Sequence, residues 1–303
     1  EANLFTGTPI ASIEWKWDEL SKIFHIGTKN LPQNHIPQSI QEWSVHYLAH
    51  CNEVLATPAP LDTRFECAAQ VLIELPTCEP HTSLSGSLSD ALINRKTSRS
   101  FTERQLSLSQ LSSLLYLSLG HLRERTDQTH SALPKGFEAR RSSPSGGGLN
   151  ACEGYVYAKH VHGLKPGFYA YHSAAHALSF VSALPPEPLG QLLCGQHFIN
   201  RLPAGLFITC RLDKLWWKYE HSRAYRMAYV EAGHISQTFQ LIATLLGLNT
   251  WLTGAFTDDR VEALLGLHNS PEQPLFFVGC GHGDGHVQCD ELMALIKTQG
   301  TQA

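Results

Sequence analysis

One long amphipathic stretch, residues 223–247, reads RAYRMAYVEAGHISQTFQLIATLLG. Its apolar residues advance by steps of three and four, from Ala228 through Phe239 to Leu246, which places them on one face of a helix. Gly247 is a suitable C-terminal stop for such a helix. The apolar face carries small residues at one end and large ones at the other. This pattern predicts a central helix packed against a sheet or a second subunit.

Shorter signals around this helix predict a mixed fold. Ser87 with Asp90, and Ser107 with Gln110, are capping pairs that each begin a helix. The predicted strands are rich in β-branched and aromatic residues, and they cover 155–161, 167–171, 178–181, 206–211 and 275–280. The second and third of these strands are expected to form a hairpin. Because helices and strands follow no strict βαβ rhythm, the pattern favours the α+β class over a doubly wound parallel sheet.

The composition is that of a folded globular protein. The chain has 303 residues, 43% of them apolar, and a net charge of −4 with no basic block to attract a nucleic acid. It contains no apolar run near the roughly 18 residues that cross a bilayer and no export signal at its start. The eight cysteines form no C-x-x-C pair, which is typical of reduced thiols. We therefore expect a cytoplasmic protein with neither a nucleic-acid nor a membrane partner.

The first 80 residues differ in texture from the rest of the chain. Prolines such as Pro32, Pro58 and Pro76 break them into short helical and irregular pieces. A linker rich in Ser, Thr, Pro and Gly then precedes the capping pair at Ser87. We interpret residues 1–80 as an accessory region and residues 86–303 as the main domain.

Residues 95–101, which read RKTSRSF and are called the basic cluster below, could hold a phosphate. Three cations and three hydroxyl groups lie within six residues. Guanidinium, ammonium and hydroxyl donors all suit phosphate oxygens. The same residues would also suit a solvated helix end, where cations oppose the helix dipole.

Residues 142–148, which read SSPSGGG and are called the glycine loop below, could contact a ligand through their backbone. Three successive glycines allow close approach and leave N–H groups available, although a surface loop has the same composition. The chain has no G-x-S-x-G around Ser145, so this serine is a poor candidate for a hydrolase nucleophile. No dinucleotide fingerprint or P-loop occurs in a strand–helix context.

The third segment is Trp216-Trp217-Lys218-Tyr219, just before the long helix. A lysine among aromatic side chains can lose hydration, which lowers its pKa and allows it to act as a base. Alternatively, the stem of Lys218 could simply cover apolar surface.

Taken together and in order, these segments resemble the SagB-type dehydrogenases, a branch of the nitroreductase-like flavoproteins. The resemblance spans residues 86–282. It also includes Gly167-Phe168-Tyr169-Ala170-Tyr171, Arg223-Ala224-Tyr225-Arg226, Glu231-Ala232-Gly233-His234 with Gln237, and Thr253-Gly254-Ala255-Phe256. Upstream, residues 24–29 read FHIGTK and look like a signature that often opens these proteins.

The resemblance implies a nitroreductase-like fold with a central, mostly antiparallel sheet flanked by helices. It also implies a homodimer with FMN at the subunit interface. The implied cofactor residues are Arg95, Lys96, Thr97 and Arg99 at the phosphate and ribityl chain, Pro144, Ser145, Gly146 and Gly147 against the flavin ring, Gln237, and Thr253, Gly254 and Ala255 near its redox edge. Family members often place an arginine after the last strand, and His282 stands there in this chain. Lys218 and Tyr219 are called the Lys-Tyr pair below. The basic cluster, the glycine loop and the Lys-Tyr pair are expected to converge around one FMN.

The chemistry implied by the resemblance is oxidation of a thiazoline or oxazoline ring, with Lys218 as base, Tyr219 orienting the ring or relaying the proton, and FMN accepting the hydride. A peptide substrate and a cyclodehydratase-type partner are the expected partners, with residues 1–80 helping to hold them. The alternatives are an NAD(P)H-dependent nitro- or quinone reductase, and a flavin-binding scaffold without turnover.

Two groups of residues could be mistaken for metal ligands. His46 and His50 stand four residues apart, and the stretch from Cys280 to Cys289 contains several histidine, cysteine and aspartate side chains. Their spacing matches no common zinc module, so we expect no metal.

Overall fold

A computed structural model of the chain describes residues 16, 18–29, 39–60, 71–79, 84–126, 137, 139–284 and 286–300. Its helices are α1 (Glu19–Gly27), α2 (Ile40–Ala56), α3 (Leu88–Asn94), α4 (Leu108–Leu119), α5 (Arg123–Thr126), α6 (Leu189–Leu192), α7 (Leu212–Lys218), α8 (Ala224–Leu245), α9 (Asp258–Leu265) and α10 (Asp290–Gly300). Its strands are β1 (Leu72–Glu74), β2 (Cys152–Ala158), β3 (Gly167–His172), β4 (Ala177–Ser182), β5 (Ala204–Arg211), β6 (Asn249–Thr253) and β7 (Glu272–Gly281).

Within these described residues, the seven strands form one sheet in the order β1-β4-β3-β2-β5-β7-β6. Every neighbouring pair runs antiparallel. Helices flank the sheet, so the predicted α+β class and the mostly antiparallel sheet are confirmed. The predicted hairpin is also confirmed, since β3 pairs directly with β4.

Helix α8 is the predicted central helix. Its buried face carries small Ala228 and Ala232 near one end and larger Ile235, Phe239 and Ile242 further along. These side chains belong to a hydrophobic core that also includes α4 and the inner strands. Burial of this apolar stripe against the sheet is what stabilises the helix, because propensity alone contributes little.

Both predicted capping pairs are present. Ser87 and Asp90 form a capping box at the start of α3, and Ser107 and Gln110 form another at the start of α4. Each box satisfies backbone N–H groups that the first turn of a helix leaves without partners.

Parts of the region expected to be accessory join the main sheet and core. Strand β1 pairs with β4 at the edge of the sheet, from Leu72 opposite Ser179 to Glu74 opposite Ala177. In α2, Cys51 is wholly buried in the same core as α8. Residues 1–15, 17, 30–38, 61–70 and 80 of that region lie outside the described residues. In the described parts of the chain, no helix has the length and apolar composition to cross a membrane.

Candidate active site

Lys218 is a buried lysine at the end of α7, the short helix that directly follows β5. The residue is 2% exposed, and its Nζ donates a hydrogen bond of 2.9 Å to the Gly147 carbonyl. The same nitrogen lies 3.9 Å from the ring centre of Phe137 and 5.7 Å from that of Tyr47. Burial lowers the pKa of Lys218 from its ordinary value of 10.5, because desolvation disfavours the ammonium form.

Tyr219 brings the Lys-Tyr pair into contact with the glycine loop. Gly147 has a φ of +61°, a conformation that suits glycine. A Cβ at Gly147 would collide with the Tyr219 hydroxyl and lie 3.0 Å from Lys218 Nζ. The structure therefore brings two of the three expected groups together. It also gives a specific reason for glycine at this position.

A buried carboxylate that sequence reasoning left without a role holds the glycine loop in place. Glu231 on α8 is 4% exposed and accepts a 2.6 Å hydrogen bond from Ser145 Oγ. Its other oxygen accepts the backbone N–H of Cys152 at 3.0 Å, while Ser145 Oγ also accepts the Asn150 N–H. The sequence could have indicated a buried carboxylate, since Glu231 falls on the apolar face of the long helix, next to Ala232.

A cavity of about 450 Å³ lies beside these groups. Its lining residues include Gly146, Lys218, Tyr219, Arg223 and Met227. The volume is within the usual range for small-molecule sites. Pro144 is exposed and lines none of this space.

The basic cluster packs at the start of β6 and the end of β7. The Ser98 N–H donates to the Thr250 carbonyl at 2.8 Å, and Thr250 Oγ1 donates to the Lys96 carbonyl at 3.0 Å. The Thr102 N–H, just after the cluster, donates to the His282 carbonyl at 2.8 Å. The cluster is thus fixed by backbone contacts rather than by its charged groups.

The basic cluster and the Lys-Tyr pair lie at opposite ends of the sheet. Strands β5 and β7 are antiparallel, with Ala204 opposite Cys280 and Arg211 opposite Glu272. Lys218 follows the Arg211 end, whereas the basic cluster adjoins the Cys280 end. Eight residues of strand separate these ends by about 23 Å. Sequence order does not reveal this separation, because it follows from the register of β5 with β7. The expected convergence around one FMN concerns a homodimer interface, so it stays a prediction.

The turn at Thr253-Gly254-Ala255, which is expected near the redox edge of the flavin, lies between these two ends of the sheet. It follows β6, the edge strand of the described sheet, and Thr253 pairs opposite Phe277 near the middle of β7. Thr253 Oγ1 accepts the Ala255 N–H at 2.9 Å and the Gln196 Nε2 at 3.3 Å. Gly254 and Ala255 are exposed, so their backbone is accessible to a ligand.

The two arginines of the basic cluster, Arg95 and Arg99, hydrogen-bond to neutral oxygens. Arg95 Nη1 contacts only neutral oxygens, Thr97 Oγ1 and Gln240 Oε1, each at 3.4 Å. Arg99 Nη1 contacts Gln288 Oε1, also at 3.4 Å. Among the residues that the structure describes, neither arginine is ion-paired with a carboxylate. Neither guanidinium group is therefore taken up by a carboxylate partner there, which suits a phosphate group.

Three further residues are expected at the cofactor, namely His282, Gln237 and Lys96. Burial and the nearby Arg104 lower the pKa of His282, so its neutral form is favoured and it does not reproduce the charge of an arginine. It can still donate a hydrogen bond. Gln237 is exposed on α8, one turn before Gln240, and Lys96 is exposed as well.

The sequence profile of the nitroreductase family matches residues 92–282. This range contains strands β2 to β7, α8, the basic cluster, the glycine loop and the Lys-Tyr pair. The chain belongs to the nitroreductase family. This places it among oxidoreductases and agrees with the fold described above.

Relatives of this nitroreductase-family chain include a protein named as a nitroreductase and a protein named for the trifolitoxin operon. A Methanocaldococcus jannaschii protein named as a nitroreductase is 32% identical over 61% of this chain and 86% of its own length. The trifolitoxin operon protein TfxC of Rhizobium leguminosarum bv. trifolii is 28% identical over 63% of this chain. The match spans only 54% of TfxC.

A solved structure shares the fold. It is a chain of the Escherichia coli microcin synthetase McbBCD complex with truncated pro-MccB17 bound. The similarity has a TM-score of 0.53 at 21% identity and covers 88% of this chain and 92% of that one.

Proposed function

We propose that this chain is an FMN-dependent, SagB-type dehydrogenase that oxidises a thiazoline or oxazoline ring carried by a peptide. The observation that carries the proposal is the buried Lys218 amine, set 2.9 Å from the Gly147 carbonyl with Tyr219 against the same glycine. The relationship to a trifolitoxin operon protein supports a peptide substrate. So does the shared fold with a chain of a microcin synthetase complex, and we infer a cyclodehydratase-type partner by the same analogy.

Lys218 is the proposed base. Its burial favours the neutral amine, which can accept a proton from a ring carbon of the substrate. The Gly147 carbonyl and the Phe137 ring hold the amine in place, and the Tyr219 hydroxyl orients the ring. Bound FMN would accept the hydride from the neighbouring carbon.

We further propose that the site is completed by a second copy of the chain. The basic cluster of one protomer would then bind the phosphate of the FMN whose ring lies against the glycine loop of its partner. Two observations support this arrangement. The groups lie at opposite ends of the sheet in one chain. In addition, α8 exposes Met227, Tyr229 and Val230, and Met227 lies next to Gly146 of the glycine loop. Exposed apolar residues of this kind are typical of an interface.

Within this proposal, residues 86–303 form the catalytic domain. The described parts of residues 1–80 extend it, because β1 and α2 join its sheet and core. The peptide substrate and the partner protein would contact these described parts of residues 1–80.

Replacement of Lys218 by Met tests the proposal. With a synthetic thiazoline-containing peptide, Lys218→Met should lower the rate of oxidation by at least about 100-fold, the usual loss when a general base is removed. The variant should keep its yellow flavin, because the lysine is proposed to act in proton transfer. Lys165→Met, an exposed lysine before β3, is the matched control and should oxidise the peptide normally.

Other outcomes would favour the alternatives. Unchanged oxidation in Lys218→Met would rule out the base. Rapid reduction of the flavin by NAD(P)H, unaffected by this substitution, would favour a nitro- or quinone reductase, as the name of the M. jannaschii relative suggests. Bound flavin that no thiazoline peptide bleaches would favour a scaffold without turnover.

A further inference from the structure

The N-terminal FHIGTK segment is clamped to the start of α8. Thr28 is buried, and its Oγ1 accepts a 2.6 Å hydrogen bond from Arg226 Nε. Arg226 Nη2 donates to the His25 carbonyl at 2.5 Å, and Arg223 Nη1 donates to the Thr28 carbonyl at 3.3 Å. Two segments that lie about 200 residues apart in sequence, FHIGTK and RAYR, are therefore parts of one structural unit.

Aromatic packing reinforces this clamp. Phe24 of α1 meets Tyr225 of α8 edge to face, with ring centres 5.5 Å apart. Such pairs stabilise a contact beyond the area that they bury. Helix α1 is thus fixed in position and orientation next to the end of α7.

The docked α1 closes one side of an apolar cavity of about 500 Å³. Its lining includes the apolar and aromatic side chains of Phe24, Leu212, Leu215, Trp216 and Tyr225. This cavity is distinct from the one beside Lys218, but the two share part of their walls. The shared residues are Tyr219, Glu220, His221 and Ala224.

We propose that this cavity binds an apolar or aromatic side chain of the peptide substrate, next to the ring that is oxidised. The inference rests on the proposed function and names the part of the substrate that the chain selects. Helix α1 then belongs to the substrate site, and Arg226 is a positioning residue that holds it there.

Continuity between the cavities identifies the occupant. A ring placed at Lys218 lies directly across Tyr219 from the apolar cavity, so the side chain of a neighbouring residue is the group within reach. The walls offer aromatic and aliphatic surface with few polar groups, which suits Phe, Leu or a similar side chain. The cavity also accounts for Trp216, a tryptophan that is 61% exposed in the described structure.

Gly27 offers a way to fill the cavity without disturbing the fold. It lines the cavity, and a Cβ at this position would meet no atom within 4 Å. Gly27→Phe should therefore occupy the space intended for the substrate side chain. Ile23→Phe is the matched control, because Ile23 is on the same helix, is exposed and does not line the cavity.

The experiment measures both binding and turnover on the 303-residue chain loaded with flavin. N-acetyl-phenylalanine amide and N-acetyl-glycine amide serve as binding probes, followed by ligand-observed NMR. We expect the phenylalanine probe alone to bind the natural sequence and Ile23→Phe, and to lose binding to Gly27→Phe. With thiazoline peptides, Gly27→Phe should raise KM at least about tenfold when Phe precedes the ring. It should change KM less than about threefold when Gly does, and kcat should stay nearly constant in both cases.

The outcomes separate this inference from the proposed function. If no thiazoline peptide is oxidised but Gly27→Phe still abolishes binding of the phenylalanine probe, the proposed function fails and the apolar site stands. A different result would refute the apolar site and leave the function standing. In that case peptides are oxidised equally well whichever residue precedes the ring, and Gly27→Phe does not change the binding of either probe. Arg226→Lys should partly restore the Phe preference lost in Arg226→Ala, as expected of a positioning residue.

Discussion

At the scale of single residues, Lys218 combines two roles that the sequence left as alternatives. The residue is buried, and its amine lies over the rings of Phe137 and Tyr47, so the side chain is packed in apolar surroundings. Its amine nevertheless reaches the glycine loop and has a lowered pKa, as expected of a base. The sequence could indicate the aromatic surroundings, since Trp216, Trp217 and Tyr219 are neighbours. It could not indicate Phe137 and Tyr47, which arrive from distant parts of the chain.

The lowered pKa of Lys218 leads to a prediction about pH. The neutral amine is the reactive form, so kcat/KM for a thiazoline peptide should rise with pH as Lys218 loses its proton. Because burial lowers the pKa, the midpoint of this rise should lie below the ordinary lysine value of 10.5. A pH–rate profile measured on the natural sequence and on Lys218→Met checks this. The same rising limb in both proteins would show that another group titrates.

At the scale of elements, the glycine loop depends on Gly147 for two reasons. The residue has a positive φ, and its missing side chain leaves room for the Tyr219 hydroxyl and Lys218 Nζ. Gly163 separates these two requirements. It also has a positive φ, of +83°, but a Cβ there would meet its nearest atom, in Leu108, only at 4.0 Å.

Alanine at these two positions should therefore have different effects. Both Gly147→Ala and Gly163→Ala should destabilise the protein by about 1 kcal/mol through backbone strain, measured as the free energy of unfolding in urea. Gly147→Ala should in addition lose flavin and peptide oxidation, because its Cβ displaces the Lys-Tyr pair. Equal flavin content and activity in the two variants would mean that the close contact at Gly147 is unimportant.

Elements with a local signal could be predicted from the sequence, whereas strand ends and a short strand that depend on long-range pairing could not. Helices α4 and α8 have capping signals or sustained apolar spacing, and both were found. Strand β2 begins at Cys152 rather than at 155, because pairing with β5 extends it through Glu153 and Gly154, which have low strand propensity. The three residues of β1 are too few to show alternation, so their place at the sheet edge is a tertiary effect.

At the scale of the whole molecule, the candidate site divides into two halves. One half is the basic cluster, and the other is the glycine loop with the Lys-Tyr pair. Most residues proposed for the two halves could be predicted from the sequence, because cations, glycines and the Lys-Tyr pair each have local signatures. Sequence reasoning missed Glu231, whose role depends on facing Ser145 and the Cys152 N–H. It could not show that the halves lie at opposite ends of one sheet, since this follows from the register of β5 with β7. A symmetric dimer would bring each half to the complementary half of the other protomer.

Subunit complementation tests this shared site most directly. Arg95→Ala/Arg99→Ala should lose flavin, and Lys218→Met should keep flavin while its turnover falls at least about 100-fold, so both homodimers should be nearly inactive. A heterodimer of the two, isolated by distinct affinity tags, contains one site with natural residues from both chains and one site with both defects. We predict that it binds flavin at the intact site and regains about half the turnover of the natural dimer. A heterodimer as inactive as its parents, or a chain that remains monomeric, would contradict a site shared between two protomers.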